Sequence, residues 1–169
     1  MDVTQAIRSR RSIRKYKSGV KIPQKDLDLI LEAAMMAPSA RNTRPWEFFV
    51  LEKEEIRKSI VDIAPYSSPI LSSSLAILVC GRPDLQPGGP ERWFFPQDCG
   101  AAIENLLLQA HALGYGTVWC GLYPVKERVE GVQKLLQIES VPMAVIAVGA
   151  PDESPDARGY YDQTCVHYL

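Results

Sequence analysis

Residues 74–81 read SLAILVCG, and the residues from Leu75 to Cys80 are apolar without interruption. A strand that has one face in water shows polar and apolar residues in alternation, and this run shows no such alternation. The stretch therefore predicts a strand that is buried on both faces.

Three other segments are typical of strands because they are rich in aromatic and β-branched residues. They are WEFFVLE (46–52), GTVWCGLY (116–123) and VPMAVIAVG (141–149). The last of these is predicted to be buried like residues 74–81. Together the four segments predict a sheet.

Helices are predicted before and between these strands, where apolar residues recur at helical spacing. A short helix ends near Arg10. A second helix begins near Pro23 and ends near Ala37, since Pro38 disfavours helical geometry in the residue before it. The other predicted helices are KEEIRKSIVDIA (53–64), QDCGAAIENLLLQAHALG (97–114) and VKERVEGVQKLLQ (125–137).

The order of these elements decides the fold class. Helices and strands follow one another without a strict alternation, and the first strand comes after two helices. This order fits an α+β sandwich with helices around a mainly antiparallel or mixed sheet. The 169 residues are enough for one domain, residues 1–169, and too few for two.

The composition excludes several classes of protein. No apolar run approaches the roughly 18–20 residues that a membrane span needs. The opening MDVTQAIRSR lacks the apolar segment of a secretory signal, so we expect a cytoplasmic protein. The cysteines are widely spaced and the two histidines lie far apart, so we expect neither a disulfide framework nor a metal site.

Positive charge is concentrated at the start of the chain. Residues 1–25 hold eight Lys or Arg against one acid, although the net charge of the whole chain is −1. A local cluster in a near-neutral protein favours binding of a particular anion over general attraction to nucleic acid or to a membrane. A basic arm that binds nucleic acid is the weaker alternative.

The centre of this cluster is RRSIR, residues 10–14. Guanidinium groups bind phosphate oxygens in bidentate fashion, and the hydroxyl of Ser12 can add a donor. If the segment is extended, residues 10, 12 and 14 point to one side. The alternative is a solvated basic face without a ligand.

Two other segments carry polar groups that could contact a ligand. In APSARNTRPW (37–46), Ser39 and Asn42 can bond either to a ligand or to their own backbone in a turn. In GYGTVWCG (114–121), the glycines allow close approach to the backbone, and a main-chain N–H could meet the edge of a flat ring. Cys120 lacks the His–Asp or His–Asn pattern of a catalytic thiol.

Taken together, these segments resemble the nitroreductase family of FMN-dependent oxidoreductases. RRSIRKY resembles the opening element of that family, and APSARNTRPWEFFVL resembles its A-P-S-x-x-N-x-Q-P-W signature. The helix and strand of residues 97–124 and the arginine-bearing tail of residues 141–169 follow in the family's order. The resemblance covers nearly the whole chain.

The resemblance implies a three-layer sandwich and an interlocked homodimer, with FMN at the interface and contacted by both subunits. Arg10 and Ser12 would bind the phosphate region, Arg11 would lie alongside largely through its backbone, and Arg158 would close the phosphate site. Arg14 would lie near the N1/O2 edge of the flavin. Pro38, Ser39 and Asn42 would come from the opposite subunit, and Cys120 and Gly121 would offer N–H groups toward N5.

The implied reaction is a ping-pong transfer in which NADH or NADPH reduces FMN, and a nitroaromatic, a quinone or a similar electron-poor acceptor is then reduced. The flavin carries the chemistry, and no catalytic side chain is predicted. Relatives with the same fold that remove halogen, degrade flavin or oxidise heterocycles are an alternative, as is a flavin-binding or sensing protein with little turnover.

The sequence also departs from the family pattern. Position 40 is Ala where Ser or Gly is usual, and position 44 is Arg where Gln is usual. We predict that Arg41 and Arg44 line the mouth of the pocket and favour an anionic acceptor or the phosphates of the nicotinamide cofactor. The segment 82–96, which has four prolines, is predicted to be a loop. With its Trp93, Phe94 and Phe95 it is the candidate cover for the active site, and the sequence leaves open whether it takes that position.

Overall fold

The computed structural model describes residues 1–89, 93–156 and 158–169. Helices and strands in these ranges occur where the apolar patterns predict them. In chain order they are α1 (Val3–Ser9), α2 (Gln24–Met35), β1 (Trp46–Leu51), α3 (Glu54–Ile63), β2 (Leu75–Gly81), α4 (Phe95–Ala112), β3 (Gly116–Gly121), α5 (Lys126–Leu136) and β4 (Val141–Gly149).

The four strands form one sheet in the order β1-β2-β4-β3. Each neighbouring pair is antiparallel, with Phe49 opposite Leu78 between β1 and β2. Leu78 lies opposite Val145 between β2 and β4, and Val118 lies opposite Ala147 between β3 and β4. The predicted α+β class with a mainly antiparallel sheet is confirmed.

Both faces of the sheet are covered by helices. All residues of β2 are buried, as its uninterrupted apolar sequence predicts. Ile77 and Val79 pack against α2 and α4 on one face. Leu78 and Cys80 pack against α3 and α5 on the other. The result is a three-layer arrangement of helices, sheet and helices.

In the segment 82–96, the described residues differ from the predicted loop. Residues 83–85 form a short 3-10 helix, and α4 begins at Phe95, two residues before the predicted start. Phe95 is only 3% exposed, so its side chain belongs to the core. Pro96 suits the first turn of a helix, where no N–H donor is needed. Residues 90–92 of the predicted loop lie outside the described residues.

The outer edge of β3 is partly covered by the basic segment. Ser12 forms an isolated parallel bridge with Thr117, and the Ile13 N–H donates to the Thr117 carbonyl at 2.8 Å. The chain after β4 then returns to this segment, with Tyr16 bridged to Pro151. In the described part of the chain, no helix has the length and apolar character needed to cross a membrane.

Candidate functional site

A pocket of about 320 Å³ lies between the basic segment and the tail. It is lined by residues from both parts of the chain. These are Arg10, Arg11, Ser12, Arg14, Glu153, Pro155, Asp156 and Arg158. The folded chain therefore gathers four arginines and one serine of the predicted FMN site around one cavity, which we call the arginine pocket.

The end of α1 delivers the first residues of this pocket. A capping box between Asp2 and Gln5 starts the helix, and such reciprocal bonds satisfy backbone donors that the helix leaves unpaired. At Arg10 the backbone leaves helical geometry, with φ −57° and ψ 134°. The chain then continues in extended form along β3, so Arg10 stands where the helix turns into that segment.

The arginines of the pocket differ in the hydrogen bonds and ion pairs that their guanidinium groups already form within the chain. The Arg11 guanidinium donates to the carbonyls of Asp156 at 3.0 Å and Arg8 at 3.1 Å, and also to that of Arg10. All three guanidinium nitrogens therefore donate to main-chain carbonyls, and the bond to Asp156 joins the end of α1 to the tail. The Arg10 Nε lies 3.4 Å from a carboxylate oxygen of Glu104 on α4.

Arg14 and Arg158 complete the positive side of the pocket. Both are exposed, and among the described residues neither has a carboxylate within ion-pair distance. Guanidinium groups are always charged at neutral pH and cannot be neutralised by losing a proton. The pocket thus holds cationic groups whose bidentate donors remain available to an anion.

The loop that follows α2 has an unusual backbone. Three of its non-glycine residues have positive φ: Arg41 at 56°, Asn42 at 54° and Arg44 at 49°. Asn tolerates this conformation, but a bulky residue there is strained by about 1 kcal/mol or more. Such strain persists only where surrounding contacts fix the backbone, and it is enriched at functional sites.

Ser39 and Asn42 are bonded within this loop. The Ser39 hydroxyl oxygen accepts from the Arg44 N–H at 2.9 Å, and the Asn42 side-chain oxygen accepts from Arg44 Nε at 3.2 Å. Pro38 is exposed beside them. The turn interpretation of this segment is therefore correct in the single chain, and Arg41 and Arg44 are exposed at its tip.

Two buried polar side chains, Asp98 and Gln86, anchor the loop to α4. The sequence patterns did not predict a role for either of them. Asp98 accepts from the Ala40 N–H at 3.0 Å and from the Gln86 side-chain amide at 2.7 Å. The Gln86 oxygen accepts in turn from the N–H groups of Phe94 and Phe95, both at 2.8 Å. Buried polar groups need such partners, so this network fixes both the loop and the start of α4.

The free end of β3 presents a further main-chain donor. Along a strand, alternate residues direct their N–H and C=O groups to the same side. The Thr117 carbonyl faces away from β4, because it accepts from Ile13, whereas the Leu122 N–H donates to Met143 at the β4 end. By this alternation the Gly121 N–H faces the open edge, while the expected second donor, the N–H of Cys120, faces β4.

The Cys120 side chain is also poorly suited to chemistry. The residue is 8% exposed, and burial raises the pKa of its thiol to about 11. The Arg14 charge acts in the opposite direction on this pKa, but the effect of burial is the larger one.

One chain does not bring all of the predicted site residues together. The lining of the arginine pocket includes neither the loop residues 38–42 nor residues 120–121. Arg10 is bound to α4 at Glu104, whereas the loop is bound to the same helix at Asp98. These positions are about 9 Å apart along the helix axis, at 1.5 Å per residue.

Comparisons with known proteins agree with the motifs. A sequence model of the Nitroreductase family matches residues 7–79 and 73–150. A protein of Methanothermobacter thermautotrophicus, named as a candidate NADH dehydrogenase/NAD(P)H nitroreductase, is 42% identical over 99% of this chain and 86% of its own length.

Solved structures show the same architecture. A candidate NADH dehydrogenase/NAD(P)H nitroreductase from Parabacteroides distasonis superimposes with a TM-score of 0.90 at 32% identity, covering 98% of this chain and 96% of that one. An FMN-dependent nitroreductase from Clostridium difficile superimposes with a TM-score of 0.86 at 27% identity, covering 98% of both chains.

Proposed function

Because this chain belongs to the nitroreductase family, we propose that it is an FMN-dependent oxidoreductase that uses NADH or NADPH to reduce small, electron-poor acceptors. The observation that carries the proposal is the arginine pocket, where residues 10–14 and Arg158 meet across the length of the chain. The FMN-dependent nitroreductase among the similar structures supports the choice of cofactor.

The chemistry of the pocket fits a flavin phosphate. A phosphate monoester carries about two negative charges at pH 7, and Arg14 and Arg158 have no carboxylate partner among the described residues. Binding such an anion would give these two guanidinium groups the charged partner that they otherwise lack within ion-pair distance among the described residues. Charge-assisted bonds of this kind are about twice as strong as neutral ones.

The residues divide into distinct roles in this proposal. Arg10, Ser12 and Arg158 hold the phosphate. Arg11 fixes the local backbone, because its side chain donates to main-chain carbonyls. Arg14 lies toward the N1/O2 edge of the flavin. The Gly121 N–H, on the open edge of β3, is the donor toward N5.

A homodimer would complete the site with the loop of the opposite subunit. Pro38, Ser39 and Asn42 lie outside the arginine pocket of their own chain, and the strained loop that carries them is fixed by Asp98 and Gln86. Sedimentation of the pure protein as a single chain would contradict this part of the proposal.

When bound, FMN supplies the redox chemistry, taking a hydride from NAD(P)H and passing its electrons to the acceptor after the nicotinamide has left. The protein binds and orients the reactants and tunes their charge. Nitroaromatics and quinones are the proposed acceptors. Arg41 and Arg44, exposed at the tip of the loop, would favour acceptors that carry a negative charge.

Purification tests the proposal directly. The protein should retain or take up FMN and show a flavin absorption spectrum. Anaerobic mixing with NADH or NADPH should bleach that spectrum rapidly, and a nitroaromatic or quinone should restore it. A protein that takes up no flavin would contradict the proposal. One that binds flavin but is bleached by neither nucleotide would be a binding protein instead of a reductase.

A further inference from the structure

We propose that Glu153 is a positioning residue of the flavin site, which holds the backbone of Arg14 so that the Arg14 guanidinium stays at the N1/O2 edge. The inference rests on the proposed function. It assigns a role to a carboxylate that lies inside a pocket of arginines, where a negative charge would by itself oppose the binding of an anion.

The hydrogen bonds of Glu153 carry the inference. One carboxylate oxygen accepts from two successive main-chain donors, the N–H of Arg14 and the N–H of Lys15, the latter at 3.2 Å. Glu153 thus binds the backbone at the residue whose side chain faces the pocket. The guanidinium of Arg14 itself remains without a carboxylate within ion-pair distance among the described residues.

The position of Glu153 explains why a side chain is needed there. Main-chain pairing joins the basic segment to the tail at Lys17, whose N–H donates to Ala150 at 2.9 Å, and at Lys15, whose carbonyl accepts from Asp152 at 2.9 Å. The Arg14 N–H donates instead to the Glu153 side chain. Glu153 therefore continues the pairing by one residue toward the pocket.

Glu153 would affect the midpoint potential of a bound flavin in two opposite ways. A cation at the N1/O2 edge stabilises negative charge there, so holding Arg14 in place raises the midpoint potential. The charge of the carboxylate acts through space in the other direction and lowers the potential. Which effect dominates can be read from the sign of a measured shift.

The experiment compares two variants of Glu153 in the FMN-loaded protein by redox titration. Glu153→Ala removes both the acceptor and the charge. Glu153→Gln removes the charge and keeps an oxygen that can accept from Arg14 and Lys15. Asp156→Asn is the matched control, because it removes a charge from the same pocket while the Asp156 carbonyl still binds Arg11.

We expect Glu153→Ala to lower the equilibrium constant for two-electron reduction at least tenfold, a shift of about 30 mV for a two-electron couple. Glu153→Gln and Asp156→Asn should leave the potential unchanged or raise it. In an Arg14→Ala background, Glu153→Ala should have no further lowering effect. A potential for Glu153→Ala equal to or above that of the wild type would overturn the inference, as would an equal lowering in the Arg14→Ala background.

A second measurement does not depend on flavin. In the protein without FMN, Glu153→Ala should speed amide hydrogen exchange at Arg14 and Lys15 more than at Ile13 and Lys17, whose N–H groups donate to main-chain carbonyls. Uniform acceleration over residues 13–17 would overturn the positioning role. Failure of the wild type to bind FMN would contradict the proposed function, and the exchange data would still decide the role of Glu153.

Discussion

At the scale of single residues, the thiols show how burial decides reactivity. The pKa of Cys120 is raised to about 11, and those of Cys80 and Cys99 to about 12, in each case mainly by burial. At pH 7 a thiol with a pKa near 11 is ionised in about one molecule in ten thousand. Only the thiolate is nucleophilic, and Cys165 is the exposed thiol of the four.

These values predict the pattern of alkylation. Iodoacetamide at pH 8 should modify the folded protein once, at Cys165, and Cys165→Ser should abolish that modification as seen by mass spectrometry. Cys120→Ser should still allow NADH or NADPH to reduce the bound flavin, because the thiol takes no part in the proposed chemistry. Rapid alkylation of Cys120 with loss of flavin reduction would show that this thiol is functional.

The polar anchors of the loop are the part of the site that the sequence could not predict. Asp98 and Gln86 are both buried, and they bind one another and backbone groups from two segments, the loop at Ala40 and the start of α4 at Phe94 and Phe95. A bond between side chains that are distant in sequence leaves no periodic pattern. The motif residues Ser39 and Asn42 could be found by type and spacing, but what fixes their loop could not.

At the scale of elements, the apolar pattern predicted the helices and strands because burial repeats along them. β2 and β4 appear as runs of apolar residues, since both of their faces lie against helices. The misplaced start of α4 has a different origin. The side chain of Gln86, nine residues earlier, accepts from the Phe95 N–H and so caps the start of the helix. No local sequence pattern predicts a cap from so distant a residue.

The packing of the basic segment on β3 gives a prediction about Gly116. A Cβ at Gly116 would lie 2.8 Å from Cβ of the buried Ile13, and Ile13 stands between Ser12 and Arg14. Gly116→Ala should therefore lower the free energy of unfolding by about 1–3 kcal/mol, the usual cost of overpacking. It should also weaken FMN binding, because the segment must move away from the strand.

Gly121→Ala is the control for this stability effect. A Cβ at Gly121 would meet no heavy atom within 4 Å, and we expect the free energy of unfolding of this variant to stay within about 0.5 kcal/mol of the wild type. Denaturant unfolding measures both variants. Equal stability of the two would mean that the contact between Ile13 and β3 is looser than the structure indicates.

At the scale of the whole molecule, the site depends on the meeting of two segments, residues 10–14 and 153–158, that are about 140 residues apart in sequence. Sequence patterns alone indicate one basic cluster near the start of the chain and a single arginine, Arg158, in the tail, and only the family resemblance places them at one site. The sheet explains the meeting: β3 and β4 are neighbours, the basic segment follows the edge of β3, and the tail leaves the end of β4. Topology therefore brings Arg10 and Arg158 to one pocket.

This convergence predicts that Arg10 and Arg158 act on the same ligand group. Replacing either with Ala should raise the Kd for FMN about ten- to a hundredfold, since a hydrogen bond to a charged group contributes about 1.5–3 kcal/mol. Arg10→Ala should have the larger effect, because it also leaves Glu104, now 3.4 Å from Arg10, without its partner. Titration of flavin fluorescence measures each Kd.

The double variant decides whether the two arginines share one phosphate. Groups that bind a common partner couple by about 0.5–3 kcal/mol, whereas distant groups are additive. We therefore expect the loss in the Arg10→Ala/Arg158→Ala protein to differ from the sum of the single losses. Arg82→Ala is the control, because Arg82 is paired with Asp84 at 2.6 Å outside the pocket. If the two losses are additive, and Arg82→Ala weakens FMN binding as much as either single variant does, the weaker binding reflects net charge alone. The two ends of the chain would then not form a single phosphate site.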